Sequence, residues 1–279
     1  MKRKPIVALI YDFDGTLSPG NMQEFGFIQA IHKTPEEFWS MSNGLATGQD
    51  ASDILAYMKM MFDEARRAGI PLRRSDFQRF GQDIKLFEGV REWFHHVNEY
   101  GATRGVKVEH YINSSGLKEI IEGSPIAKEF KHIFAGTFIY DDKGEAVWPG
   151  IAVDYTAKTQ FLFKIQKGIF SSRDAQRVNE SIADEEKRIP FSQMIYFGDG
   201  DTDIPSMKIV NMFGGHAIAV FDPAKPQKRD SARKMFRQGR VNFITPASYT
   251  RDSRTFRLVC AIIDKIKADH ELKRLASYR

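Results

Sequence analysis

The chain has 279 residues and a single cysteine, so no disulfide can form within it, and a reducing cytoplasm fits that usage. Cys260, in the apolar run RLVCAII, reads as core packing. No apolar stretch approaches the ~20 residues needed to span a bilayer, so no membrane partner is expected. Neither sign of charge is scarce: 41 Lys and Arg stand against 36 Asp and Glu, and the resulting +5 is too small to imply nucleic acid. There is no internal repeat and no low-complexity segment. With 42% hydrophobic and 28% charged residues, the composition is that of a globular protein with a full core and room for a second small domain. The start, MKRKPIVALIYDFDG, has a basic head and a short apolar run, but the run ends in two aspartates without a small-residue cleavage site. It therefore reads as a first strand and not as a secretion signal.

Apolar runs near 6–13, 106–115, 194–199, 216–220 and 241–245 read as buried parallel strands, and helical patterns lie between most of them. The alternation predicts an α/β fold, a Rossmann-like, doubly wound, mostly parallel sheet with helices on both faces. Residues 18–85 instead carry helical periodicity and no convincing strand. Within them KTPEEFWSM offers Thr34 as N-cap, Pro35 at the first helical position and Glu37 to complete a capping box. DASDILAYMKMMFDEARRAG reads as a longer amphipathic helix ending at Gly69. The expected organisation is a catalytic core of residues 1–17 and 86–279 and an all-helical cap of residues 18–85 over the strand ends. Met58, Met61 and Phe62 read as the packing of that cap. IFAGTFIYDDKGEAVWPG reads as a small β-hairpin turning at DDKG, KPQKRDSARKMFRQGR as a solvated helix near the sheet edge, and the tail from Arg251 as a last helix.

Ligands of such sheets bind at the carboxyl ends of the strands, and the polar clusters DFDGT, NSSG and GDGDTD fall there. Asp12 and Asp14 are two residues apart and share one side of the strand end, where like charges repel. GDGDTDIPSM brings Asp199, Asp201 and Asp203 to the same edge. Two acidic clusters there call for a cation, and hard carboxylate oxygens favour magnesium. An EF-hand is excluded, because its sixth and twelfth positions, Gly and Glu, are Ile204 and Val210 in one cluster and Leu17 and Gln23 in the other. A pair of solvated turns is the remaining alternative. Ser114, ending the second strand ahead of a helix starting near Gly116, offers a hydroxyl and free amides to phosphate oxygens, or else simply caps that helix. Lys158 falls in the first turn of a helix capped by Thr156, where the dipole disfavours a cation; it either faces solvent or reaches into a site rich in carboxylates and phosphate.

The order of these pieces resembles the haloacid dehalogenase-like hydrolases, in particular their helical-cap phosphatase branch near phosphoserine phosphatase. Asp12, Asp14, Gly15 and Thr16 match the first motif, Ser114 the second, with Ser115 and Gly116 where relatives often carry Gly-Gly, Lys158 the third, and Gly198, Asp199, Gly200 and Asp203 the fourth. Lys164 and Lys167 lie on the same helix as Lys158. The resemblance implies that Asp12 is a nucleophile forming an aspartyl-phosphate and Asp14 a general acid and base. It implies Mg2+ held by Asp12, the backbone carbonyl of Asp14 and Asp199, phosphate held by Ser114, Lys158, Thr16, Ser115 and Gly116, and Asp203 in support. Asp201 reads as surface decoration. An acid at position 14 speaks for phosphomonoester hydrolysis, since a halide leaving group needs no proton.

Cap residues are expected to select the substrate, with Gln23, Glu24, Arg66 and Arg67 as the polar candidates. The cap does not repeat the acid-and-arginine pattern of serine phosphatases, so phosphoserine is not assigned. A closed cap favours a small phosphorylated substrate over proteins or long nucleic acids. A phosphotransferase and a nucleotide 5'-phosphatase are the enzymatic alternatives, and a phospho-ligand or nucleic-acid binding protein is the non-enzymatic one. Nothing in the sequence bears on oligomeric state.

Overall fold

The computed structural model describes residues 4–171, 174–183 and 186–276. Strand β1 (Ile6–Tyr11) is buried at every residue, as expected of a strand covered on both faces. It is the middle of a seven-stranded sheet with order β4-β3-β2-β1-β5-β6-β7. The other strands are β2 (Lys107–Leu117), β3 (His132–Tyr140), β4 (Ala146–Ile151), β5 (Met194–Gly198), β6 (His216–Phe221) and β7 (Phe243–Pro246). All neighbours pair in parallel except β3 and β4. The expected hairpin is thus one edge of the main sheet, because β3 also pairs with β2.

Alternation along β1 divides the core. Val7, Leu9 and Tyr11 pack on one face with Trp93 and Phe94 of α5 (Val90–Thr103) and Ile263 of α11 (Arg254–Ala276). Ile6, Ala8 and Ile10 pack on the other with Leu162 of α7 (Ala157–Lys167), Met207 of α9 (Ile204–Met212) and Met235 of α10 (Pro226–Arg237); the short α8 (Ala175–Asn179) follows α7. From β1 the order of strands runs outward in two directions, toward β2 and toward β5, which opens a crevice at their carboxyl ends. Cys260 departs from expectation. On α11 the apolar period points Val259, Ile262, Ile263 and Ile266 inward and leaves Cys260 on the flank, half-buried.

Between β1 and α5 lie a 3-10 turn (Met22–Phe25) and helices α1 (Phe27–Ala30), α2 (Pro35–Gln49), α3 (Asp53–Arg67) and α4 (Arg74–Gly81). The capping box of α2 is formed, with Glu37 N donating to Thr34 Oγ1 at 3.2 Å and Thr34 N donating to Glu37 Oε2 at 2.8 Å. Beyond α3, Gly69 takes φ +67°, a left-handed conformation that suits glycine. Phe27, Phe38, Met58, Met61 and Phe77 of these helices are buried in the same cluster as β1 and β2, and Phe62 packs against it half-buried. Helix α4 lies backbone to backbone on the short α6 (Lys118–Gly123): a Cβ at Gly123 would meet the Gln78 carbonyl, and one at Gly81 the Ile120 carbonyl.

Candidate active site

The turn after β1 carries the first two carboxylates. Asp12 N donates to Phe197 O at 2.9 Å, which continues the β1–β5 ladder one residue past the strand. Gly15, at φ +75°, then turns the chain back, and Gly15 N donates to Ser18 O at 2.7 Å. Only glycine fits here, since a Cβ at this position would strike the Asp199 carboxylate. Asp14 Oδ1 accepts from Met22 N at 3.0 Å, so the start of the helical segment is tied to this turn.

Lys158 is fully buried, with Nζ 3.1 Å from Asp12 Oδ1 and 2.7 Å from Asp203 Oδ1. Its own carbonyl accepts from Asn113 Nδ2 at 3.0 Å, which pins the start of α7 to β2. Lys164 and Lys167 turn elsewhere and donate to the carbonyls of Ser171, Val178 and Glu180. The expected cap at Thr156 does not form: its backbone is already in the helical region and its hydroxyl accepts from no helix amide. Asp203 Oδ1 also accepts from Tyr196 OH at 2.9 Å. Across the same strand ends, Asp199 Oδ2 lies 2.7 Å from Lys228 Nζ.

Around Ser114 the local structure differs from expectation. β2 does not stop there but runs to Leu117, which still pairs with Gly136 of β3 after a register shift, and α6 begins only at Lys118. Pairing with β3 outweighs the helix start read near Gly116. Ser114 Oγ accepts from Gly116 N at 3.0 Å, and the Ser115 hydroxyl is buried without a partner. Thr16 is also misplaced by the sequence reading. It is buried, its hydroxyl lacks a partner, its carbonyl accepts from Tyr249 OH at 2.7 Å, and it does not line the cavity.

Burial dominates the electrostatics. It pushes the Asp12 carboxyl up, helped by repulsion from Asp203 and opposed by Lys158, to about 7. Burial and repulsion from Asp12 push Asp14 well above the usual carboxylate range. Asp199 is raised by burial and drawn back by Lys228. Lys158 would be lowered by burial, but Asp12 and Asp203 outweigh it and hold the ammonium charged. Carboxylate oxygens of Asp12, Asp199 and Asp203 lie within 4.8 Å of one another, a hard-oxygen donor set that fits a small divalent cation.

A cavity of about 450 Å3 opens over these groups. The core lines it with Asp12, Asp14, Ser114, Ser115, Gly116 and Asp199, and the helical segment with Gln23, Glu24, Trp39 and Tyr57. Tyr57 OH donates to Ser115 O at 2.8 Å across the two parts. Arg66 and Arg67 are exposed at the end of α3 and do not line the cavity; Arg67 pairs with Glu64. Asp201 is exposed on the rim. The sequence reading missed Lys225 and Lys228, which line the cavity from the segment taken for a solvated helix. Their three-residue spacing at the start of α10 puts both on one face, and that spacing was the available signal.

A sequence model of haloacid dehalogenase-like hydrolases matches residues 9–208. An uncharacterized protein of Borreliella burgdorferi is 27% identical over 288 aligned positions, covering 92% of this chain and 96% of its own. Among solved structures, a substrate-bound phosphoserine phosphatase complex superposes with TM-score 0.55 at 17% identity, covering 90% of this chain and 96% of that one. A probable phosphoserine phosphatase from Vibrio cholerae does so with TM-score 0.58 at 13% identity, covering 96% and 67%. At such identities these two structures speak to the fold, which this chain shares with them. The family match spans well over half of the sequence and contains the turn after β1, Ser114, Lys158 and the Asp199–Asp203 turn: the chain belongs to the haloacid dehalogenase-like hydrolases.

Proposed function

We propose that the protein is a magnesium-dependent phosphomonoester hydrolase acting on a small organic phosphate through an aspartyl-phosphate on Asp12. The observation that carries the reading is the division of the first two acids: burial raises both, but Asp12 faces a buried ammonium at 3.1 Å that draws it back, whereas Asp14 has no cation partner among the described residues and is pushed further up by Asp12 itself. The first is suited to remain charged and attack, the second to hold a proton. Asp12, Asp199 and the backbone carbonyl of Asp14 would hold the metal, with Asp203, whose Oδ1 accepts from Lys158 and from Tyr196, in support of Lys158. When bound, a divalent cation supplies positive charge that keeps Asp12 ionised and screens the approach of an anionic phosphate.

In this reading an Asp12 oxygen attacks phosphorus, the bond to the leaving oxygen breaks, and Asp14 gives that oxygen its proton. Water then attacks the phosphorus of the acyl phosphate, Asp14 takes the water proton, and Asp12 is released as carboxylate. Lys158 and the Ser114 hydroxyl, with the free Ser115 hydroxyl beside it, hold the phosphoryl oxygens as charge builds on them. The helical segment 18–85 serves as the cap, which keeps bulk water from the acyl phosphate. The test is phosphate release from an aryl phosphate and a panel of sugar, nucleotide and amino-alcohol phosphates, with and without magnesium. Turnover that requires the metal is expected. No release from any substrate by magnesium-loaded protein would overturn the reading.

A further inference from the structure

The wall of the cavity formed by the helical segment offers acceptors and aromatic faces. Glu24 Oε1 accepts from two neutral donors, Asn21 Nδ2 and Trp39 Nε1, each at 2.8 Å, and among the described residues no lysine or arginine pairs with it. Asp53 adds an exposed carboxylate to the same wall. Gln23 is 2% exposed and lines the cavity, yet its Oε1 has no hydrogen-bond partner, so a buried acceptor there lacks a donor. The rings of Trp39 and Tyr57 lie 6.2 Å apart at 70°, a corner of two π faces of the kind that attracts cations.

The cations of the cavity stand elsewhere and are engaged. Lys228 pairs with Asp199 at 2.7 Å, and Lys225 lies 3.7 Å from Asp222 and donates to Pro19 O at 3.2 Å. Among the described residues no arginine lines the cavity. A carboxylate or a second phosphate on the substrate would therefore face Glu24 and Asp53 without a partner, whereas a cationic group would find several.

We propose, resting on the phosphatase reading above, that the substrate is the phosphate monoester of a small amino alcohol, whose protonated amine donates to Gln23 Oε1 and Glu24 and packs against Trp39 and Tyr57. The unpaired Gln23 oxygen needs a hydrogen-bond donor, which a primary or secondary ammonium carries and a fully alkylated one lacks.

The test compares kcat/KM for 2-aminoethyl phosphate, its neutral isostere n-propyl phosphate, a carboxylate-bearing analogue, O-phosphoserine and the trimethylammonium analogue, with p-nitrophenyl phosphate as a generic substrate. The primary amine is expected to exceed the propyl ester by at least about tenfold, with the carboxylate analogue slowest. In Glu24→Gln and in Asp53→Asn the amine-to-propyl ratio is expected to fall, by about fivefold or more in the first. A ratio taken within one variant does not change when part of the protein is misfolded. Equal turnover of amine and propyl esters, preference for any of the other analogues, or a ratio unmoved in both variants overturns the proposal. If even the aryl phosphate is not hydrolysed, the phosphatase reading fails, and calorimetric binding decides the amine site by itself: tighter binding of 2-aminoethyl than of n-propyl phosphate supports it, and equal binding overturns it.

Discussion

Lys158 holds its ammonium 3.1 Å from Asp12 Oδ1 with none of its side chain exposed to solvent. A buried cation in the first turn of a helix opposes the helix dipole, and the two carboxylates it touches provide the compensation. Removing it in Lys158→Ala leaves Asp12 and Asp203 facing each other without a counter-charge. We expect kcat on an aryl phosphate to fall by about 100-fold or more and stability to fall by about 3–5 kcal/mol. Steady-state kinetics beside urea unfolding separates the two losses, and wild-type turnover by the variant would remove Lys158 from the mechanism.

Asp12 and Asp14 are expected to fail in different ways. Asp12→Asn should lose activity on every substrate, by about 1000-fold or more, and form no acid-stable phosphoenzyme. Asp14→Asn should lose about 100-fold or more in kcat/KM, which reports the first transfer, on alkyl phosphates but far less on aryl phosphates, whose leaving oxygens need no proton, while kcat falls on both because water attack needs Asp14 as base. Equal losses of kcat/KM on both substrate types would contradict the assignment of Asp14 as acid.

Beneath the site a buried chain runs from Trp93 Nε1, which donates to Tyr11 OH at 2.8 Å, to His110 Nδ1, 3.0 Å from the same hydroxyl. On its other side His110 Nε2 lies 3.2 Å from Asn98 Oδ1, which suits a neutral imidazole protonated at Nε2. Burial lowers the His110 pKa from 6.5 to about 3. The unfolded chain binds this proton first as pH falls, so the stability due to the neutral ring is complete above pH 6.5 and is lost progressively down to about 3. His110→Gln should flatten the decline of unfolding free energy between pH 6.5 and 4, measured by urea titration. An unchanged slope would show that the ring is not buried neutral.

The contact between α4 and α6 makes Gly123 intolerant of a single methyl group. Gly123→Ala should destabilise the fold by about 1–3 kcal/mol as α4 is pushed away from α6. Because α4 closes the helical segment, the same change should raise KM more than it lowers kcat. A variant as stable as wild type would show that α4 and α6 are less tightly packed.

The parts of this architecture that depend on near neighbours in sequence were readable from it. An apolar run entering DFDGT, the Thr34–Glu37 capping box and the Asp199–Asp203 spacing each carry their geometry within a few residues. What depends on packing between distant segments was not. Strand β2 continues past Ser114 because β3 lies beside it, Thr16 is turned inward by the Tyr249 side of the core, and Lys228 meets Asp199 only because α10 lies beside the end of β5. The basic run around Lys228 looks uniform in one dimension, and folding divides it into two lysines at the cavity and several solvated ones.

The hydrogen bond from Tyr249 to the Thr16 carbonyl joins residues 233 positions apart. The turn that presents both leading aspartates thus leaves a ribosome 233 residues ahead of its tether. A nascent chain holding β1 through α10 has every carboxylate of the cavity but not the clasp on their turn, so competence to act should arrive abruptly, once Tyr249 has emerged.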